Sequence, residues 1–148
     1  MSEKAQQAEK LFREGYNCCQ AVIGAFAEEL GMQTEDILRL ASSFGGGMGR
    51  LREVCGAVSG MFMIAGLERG YDDPKAQQEK KEHYALIQRL AEAFREENGS
   101  IVCRELLGLE HKKDDPTPAV RTAEYYRKRP CSEMVKSAVR ILEKELYE

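Results

Sequence analysis

Apolar residues recur every three or four positions along most of this chain, which is the spacing of one face of an α-helix. We find no alternating run of β-branched residues and no Asn-Gly hairpin turn, the two signals typical of β-strands. Glycine, proline and capping residues divide the pattern into segments of helical length. The predicted helices cover residues 5–12, 17–30, 34–41, 53–67, 73–98, 100–107, 117–129 and 131–146.

The segment 54–67 is the most apolar part of the chain, and it would be apolar nearly all round a helix. That distribution predicts a buried helix, and the segment is shorter than the roughly 20 residues that span a bilayer. Gly56 and Gly60 lie on one face, where we expect a neighbouring element to approach closely. The sequence therefore predicts one domain over residues 1–148, an all-α multi-helix bundle around a buried central helix containing glycine and cysteine.

Composition and charge narrow the class of protein. Hydrophobic residues make up 43% of the chain and charged residues 32%, which is typical of a globular domain and too apolar for a disordered one. The net charge of −3 does not favour binding to nucleic acid or to an anionic membrane. The polar N-terminus lacks the apolar core of a signal peptide, so we expect a cytoplasmic protein without membrane insertion.

Five cysteines are the chemically distinctive feature of the chain. Their odd number excludes a framework made only of intramolecular disulfides in a monomer, and cytoplasmic cysteines stay thiols unless they bind metal or cycle catalytically. Cys18, Cys19, Cys103 and Cys131 fall near predicted helix starts, and Cys55 lies early in its predicted helix. Free N–H groups and positive partial charge at a helix start stabilise a thiolate, the form that attacks disulfides and binds metal.

Basic residues close to the cysteines in sequence would also stabilise thiolates if they face the sulfurs. These residues are Arg50 and Arg52 before Cys55, Arg104 after Cys103, and Arg129 before Cys131. The alternative is that the cysteines are inert and buried, since free cysteine is among the most buried residue types.

The spacing of the cysteines separates the kinds of site they could form. The absence of a C-x-x-C motif disfavours a thioredoxin-type site, and the absence of C-x-x-C-H disfavours covalently attached haem. Adjacent residues on a helix point about 100° apart, so a disulfide between Cys18 and Cys19 would strain the first turn. We expect one of the two to face the other cysteines. A four-thiolate metal or iron–sulfur site assembled from distant helices stays open.

A glycine-rich passage, residues 44–50, precedes the central helix. Gly45, Gly46, Gly47 and Gly49 are predicted to bring backbone close to the cysteines, or to a cofactor held there, and to aim N–H groups at sulfur. A backbone nest for an anion is the alternative. The passage lacks the lysine and the Ser/Thr of a P-loop and does not follow a strand, which disfavours nucleotide binding.

Other polar residues give weaker signals. His83 and His111 lie among polar residues and are predicted to be solvated rather than catalytic. The adjacent carboxylates at 28–29, 96–97 and 114–115 are predicted to lie on solvated faces and loops, not to form an acid/base pair.

Taken together, the motifs resemble the C-GCAxxG-C-C family of redox-active proteins over residues 8–146. The matching pieces are Gly15-Tyr16-Asn17-Cys18, the glycine run 44–50, Cys55-Gly56-Ala57-Val58-Ser59-Gly60, Cys103-Arg104-Glu105-Leu106-Leu107-Gly108, and Cys131 ahead of an amphipathic helix. The resemblance implies that Cys18, Cys55, Cys103 and Cys131 form the site and that Cys19 lies outside it. The family's Gly-Cys-Ala order is Cys-Gly-Ala here, a small departure.

Three functions are consistent with these residues. In a thiol–disulfide redox or electron-transfer protein, Cys18 would pair reversibly with Cys55, or Cys103 with Cys131. In a metal or iron–sulfur module, the same four thiolates would be ligands. In a helical interaction protein, the cysteines would be inert. The sequence does not identify a redox partner, and it leaves a homodimer open.

Overall fold

The computed structural model describes residues 2–110 and 113–148, so His111 lies outside the described residues. Its helices are α1 (Glu3–Arg13), α2 (Cys18–Ala25), α3 (Ala27–Leu30), α4 (Thr34–Ala41), α5 (Gly45–Met48), α6 (Gly56–Arg69), α7 (Gln77–Asn98), α8 (Cys103–Leu106), α9 (Ala123–Lys128) and α10 (Cys131–Leu146). A 3₁₀ turn, Ser42–Phe44, joins α4 to α5. The predicted all-α fold is confirmed.

Helix α6 is buried along most of its length and packs against α2, α7 and α10. The core around it includes the fully buried rings of Phe12, Phe26 and Phe94. The predicted bundle with a buried central helix is confirmed, with Cys55 as the cap of that helix instead of a residue inside it. Within residues 2–110 and 113–148, no helix is both long enough and apolar enough to cross a membrane.

The two glycines on one face of α6 allow α2 to approach it closely. A Cβ added at Gly60 would lie 3.0 Å from the Cβ of Val22 and 3.1 Å from the carbonyl oxygen of Cys19. A Cβ added at Gly56 would lie 3.1 Å from the Cβ of Cys18. The predicted close approach is confirmed, and it brings the cysteine-bearing start of α2 against the start of α6.

Several helix boundaries differ from those predicted. The predicted start of α7 after Asp73 is wrong, because the Asp73 carboxylate accepts a hydrogen bond from the Lys75 amide (2.9 Å) and closes a turn before the helix. The predicted start of α9 at residue 117 is also wrong, since Thr122 caps the helix by accepting from the Tyr125 amide (3.1 Å). The helix predicted over 17–30 is interrupted at Phe26, between α2 and α3.

Thr34 and Ser100 are the residues that the sequence predicts as N-caps of α4 and α8, and neither caps its helix. Thr34 is the first residue of α4, and Gln33 precedes it. The hydroxyl of Ser100 accepts a hydrogen bond from the Val102 amide (3.0 Å), so it stabilises a turn before α8 while Val102 is the residue that precedes the helix.

Replacing Gly60 by alanine should destabilise the fold relative to the same replacement at Gly66 in the same helix. Alanine favours a helix over glycine by about 1 kcal/mol at either position, and a Cβ at Gly66 meets no atom within 4 Å. At Gly60 the added methyl must push α2 and α6 apart. Urea unfolding should place the free energy of unfolding of Gly60→Ala about 1–3 kcal/mol below that of Gly66→Ala. Equal values would contradict the close approach.

Candidate functional site

Four helix starts carry the four cysteines that the sequence singled out. Cys18, Cys103 and Cys131 are the first residues of α2, α8 and α10, and Cys55 immediately precedes α6. At the start of α2 the Asn17 side chain accepts from the Gln20 amide (2.9 Å), and the Gln20 side chain accepts from the Asn17 amide (3.0 Å). This capping box fixes the direction in which the chain enters the helix.

The starts of α6 and α8 are held side by side by a short backbone pairing. Val54 and Val102 form an antiparallel bridge, the Cys55 amide donates to the Ile101 carbonyl (2.8 Å), and the Cys103 amide donates to the Glu53 carbonyl (2.5 Å). Residues 53–55 are therefore extended, and the predicted helix start at residue 53 is wrong because these backbone groups pair with another segment. The pairing places two cysteines next to each other.

One pocket is lined by all four cysteines. Its volume is about 60 Å³, enough for a few water-sized atoms. Cys18, Cys55 and Cys103 are buried, and Cys131 is partly exposed. All five cysteines, which lie within the described residues, are free thiols. The structure thus assembles the predicted set from four separate helices and leaves one of its members open to solvent.

Cys19 does not line this pocket. Its side chain is fully buried, and its Sγ lies 3.8 Å from the Sδ of Met63. Burial raises the pKa of its thiol to about 12. These surroundings support the division into four site cysteines and one packing cysteine.

The glycine run touches the pocket at two of its four glycines. Gly46 and Gly47 line the pocket and have φ of 66° and 68°, in the left-handed region that favours glycine. A Cβ added at Gly47 would lie 2.6 Å from the Cβ of Cys103. Gly45 and Gly49 instead line a neighbouring cleft. The run therefore brings backbone against one of the cysteines, as expected.

The polar groups of this run have backbone partners. The carbonyl of Gly46 accepts from the Arg52 amide (3.3 Å), and the carbonyl of Gly47 accepts from the Glu53 amide (2.9 Å). Donation from the glycine amides to sulfur, and a cofactor held by them, stay predictions.

Three arginines surround the pocket, and the sequence indicated two of them. The Nη1 of Arg52 lies 3.6 Å from the Sγ of Cys103, and the same guanidinium pairs with Asp114 (2.8 Å). Arg129 also lines the pocket. No signal in the sequence indicated Arg121, which lies ten positions before Cys131. Only the fold of segment 113–122 brings Arg121 to the pocket.

Arg50 and Arg104 lie outside the sulfur pocket. Arg104 pairs with Glu53 (3.2 Å), while Arg50 lines the neighbouring cleft.

Cys131 is the thiol that this pocket activates. The neighbouring Cys18 thiol, together with the charges of Arg129 and Arg121, outweighs burial and lowers the pKa of Cys131 to about 7. Cys131 and burial in turn raise the pKa of Cys18 well above its usual range. Near neutral pH the pocket therefore favours a Cys131 thiolate beside a protonated Cys18.

The other two site cysteines are held as thiols. Burial raises the pKa of Cys55 to about 12, although the amides of Ala57 and Val58 at the start of α6 act in the opposite direction. Burial also raises the pKa of Cys103, against the lowering effect of Arg52. The pocket therefore holds one reactive sulfur and three protonated ones.

The described residues contain no group of three or more Cys, His, Asp or Glu side chains placed to hold a metal ion. Metal or iron–sulfur binding by Cys18, Cys55, Cys103 and Cys131 therefore stays a prediction. The positions of the sulfurs do not themselves support it.

Four cysteines at helix starts around one arginine-lined pocket define an all-α protein with a reactive thiol site. Residues 16–145 match the family described as "Putative redox-active protein (C_GCAxxG_C_C)". The chain belongs to this family, as the resemblance of its motifs suggested. No curated protein and no solved structure matches the chain.

Alkylation of Cys131 should follow the titration of a thiol with a pKa near 7. Only the thiolate reacts, so the rate with iodoacetamide should rise between about pH 6 and pH 8 and then level off. Replacing Arg129 by glutamine removes a charge that lowers this pKa. Cys131 of the variant should therefore react at least about threefold more slowly than Cys131 of the parent chain at pH 6.

Mass spectrometry of the alkylated peptides measures the rate at each cysteine. Cys19 is the internal control, since its buried thiol should stay unmodified at neutral pH. A midpoint for Cys131 above pH 8.5, or faster labelling of Cys19, would contradict the assignment.

Proposed function

We propose that this chain reduces disulfides by thiol–disulfide exchange, with Cys131 as the attacking thiol and Cys18 as the resolving thiol. The observation that carries the proposal is the arrangement of these two residues. Cys131 is the partly exposed member of the cluster, begins the long helix α10 and faces arginine charge, while Cys18 lines the same pocket and helps to lower the pKa of the Cys131 thiol.

The first step is attack by the Cys131 thiolate on one sulfur of a substrate disulfide. The substrate S–S bond breaks, a mixed disulfide with Cys131 forms, and the other substrate sulfur leaves as a thiolate that takes up a proton from water. A thiol with a pKa near ambient pH is well suited to this attack, because it combines a high thiolate fraction with retained nucleophilicity.

The second step is attack by Cys18 on the Cys131 sulfur. Once Cys131 is in a mixed disulfide its negative charge is gone, so a Cys131 thiolate no longer raises the pKa of Cys18. Cys18 loses its proton to water, the mixed disulfide breaks, and the second substrate thiolate leaves. The substrate disulfide has then gained two electrons, and Cys18 and Cys131 have lost two in forming their own disulfide.

This pair differs from the two pairs that the sequence suggested. Cys18 with Cys55, and Cys103 with Cys131, combine cysteines in chain order. The shared pocket and the opposite pKa shifts of the two thiols support Cys18 with Cys131 instead. Cys55 and Cys103 keep high pKa values for their thiols, which fits a structural role or a second, slower pair.

Trapping of the mixed disulfide tests the two roles. In Cys18→Ala the attack can occur but the second step cannot, so a chromogenic disulfide should leave one reagent moiety on Cys131. In Cys131→Ala the burst of released thiolate should fall by about tenfold or more, because no other site thiol is ionised near neutral pH.

Cys19→Ala is the matched control, since it removes the neighbouring thiol of the same helix. It should release two thiolates per chain and end in a disulfide between Cys18 and Cys131, as the parent chain should. Peptide mapping by mass spectrometry identifies each product. Full release by Cys131→Ala would overturn the proposal, and so would one metal ion or cluster per chain bound through the four thiolates of anaerobically purified protein.

A further inference from the structure

A second, larger cavity opens beside the sulfur pocket. This cleft has a volume of about 360 Å³. It shares part of its wall with the pocket, through Asn17, Gly46, Arg52, Arg121, Tyr125 and Arg129. The cleft and the pocket that holds Cys131 are therefore bordered by the same side chains.

The cleft is positively charged although the chain as a whole carries a net charge of −3. Arg50, Arg52, Arg121 and Arg129 line it, and no aspartate or glutamate side chain is among its lining residues. Two of these arginines already form ion pairs, because Asp114 pairs with Arg52 (2.8 Å) and with Arg50 (3.6 Å).

The other two arginines form no ion pair with a carboxylate of the described residues. The guanidinium carbons of Arg121 and Arg129 lie 5.5 and 5.4 Å from the ring centre of Tyr125. Two like charges thus share one half-buried ring, where cation–π attraction offsets only part of their repulsion. The Cys131 thiolate is one negative charge near this pair, and a bound anion would supply a second.

Arg121 is held in place for such a role. Its Nη1 donates to the Phe12 carbonyl (2.7 Å), and its guanidinium lies 4.4 Å from the Phe12 ring centre. A guanidinium fixed in this way keeps other N–H groups in a planar fork, which matches the two oxygens of a carboxylate.

We propose that the substrate is a small disulfide bearing carboxylate groups, which Arg121 and Arg129 bind in the cleft while its sulfurs reach Cys131. This inference rests on the proposed function and adds the class of substrate. The cleft has the volume of a small-molecule site. Three of the four site cysteines are buried and Cys131 is partly exposed, so Cys131 is the sulfur that a bound disulfide can reach.

Three dialkyl disulfides of similar size and different charge test whether the cleft prefers a disulfide that bears carboxylate groups. They are dithiodipropionate (−2), bis(2-hydroxyethyl) disulfide (neutral) and cystamine (+2). The quantity to compare is the second-order rate constant for loss of the Cys131 thiol, extrapolated to full ionisation of Cys131. The dianion should react about tenfold or more faster than the neutral compound at low salt, and the dication more slowly. The preference should shrink as ionic strength rises.

Variants of Arg129 separate anion binding from folding. Arg129→Gln should lose about tenfold in rate toward the dianion relative to the neutral disulfide, and Arg129→Lys should keep much of the preference. Reaction with the neutral disulfide shows that each variant is folded and its thiol competent. Arg95→Gln is the control, since it removes the same charge from an exposed ion pair with Glu92 on α7.

The outcomes distinguish the carboxylate preference from the thiol–disulfide exchange reaction on which it rests. If Cys131 exchanges with all three disulfides at equal rates, the carboxylate site is wrong and the exchange reaction stands. If the Cys131 thiol is lost with none of the three disulfides, the proposed function itself fails. Equal loss of the preference for the dianion in Arg95→Gln and in Arg129→Gln would also overturn the inference. The preference would then come from the overall charge of the protein.

Discussion

The stabilisation of a negative sulfur at Cys131 is the constraint on which the rest of the site depends. A negative sulfur in a largely buried pocket is unfavourable unless donors and positive charge surround it. Here the neighbouring Cys18 thiol comes from the start of α2, and the charge comes from Arg52, Arg121 and Arg129. The free energy that stabilises this thiolate is supplied by groups distant in sequence, so the reactive state of the site requires the whole fold.

The glycines make that convergence sterically possible. Side chains at Gly56 and Gly60 would push α2 away from α6, and a side chain at Gly47 would push the glycine run away from Cys103. Gly56 and Gly60 lie where two cysteine-bearing segments meet, and Gly47 lies where the glycine run meets the segment of Cys103. Close packing of backbone, more than any single side-chain contact, therefore sets the distances between the sulfurs.

Local signals in the sequence predict the fold, and the resemblance of the motifs implies the set of four cysteines that line one pocket. Helical periodicity identified the bundle, and capping residues such as Asn17 placed cysteines at helix starts. The partner of Cys131 and the role of Arg121 could not be read in the same way. Both depend on how α1, α2, α9 and α10 pack, and no spacing along the chain records that. The start of α9 was predicted too early because Thr117-Pro118 is as typical of a helix start as the Thr122 cap that begins the helix.

A redox titration of Cys18 and Cys131 in buffers of defined thiol–disulfide potential tests the account most directly. Quantifying the reduced and oxidised peptides at each potential gives the number of electrons and the midpoint. The account predicts that the two thiols disappear together, in one two-electron transition between about −180 and −300 mV, the range of reversible exchange couples. Loss of the two thiols at separate potentials, or thiols that stay reduced throughout that range, would contradict it.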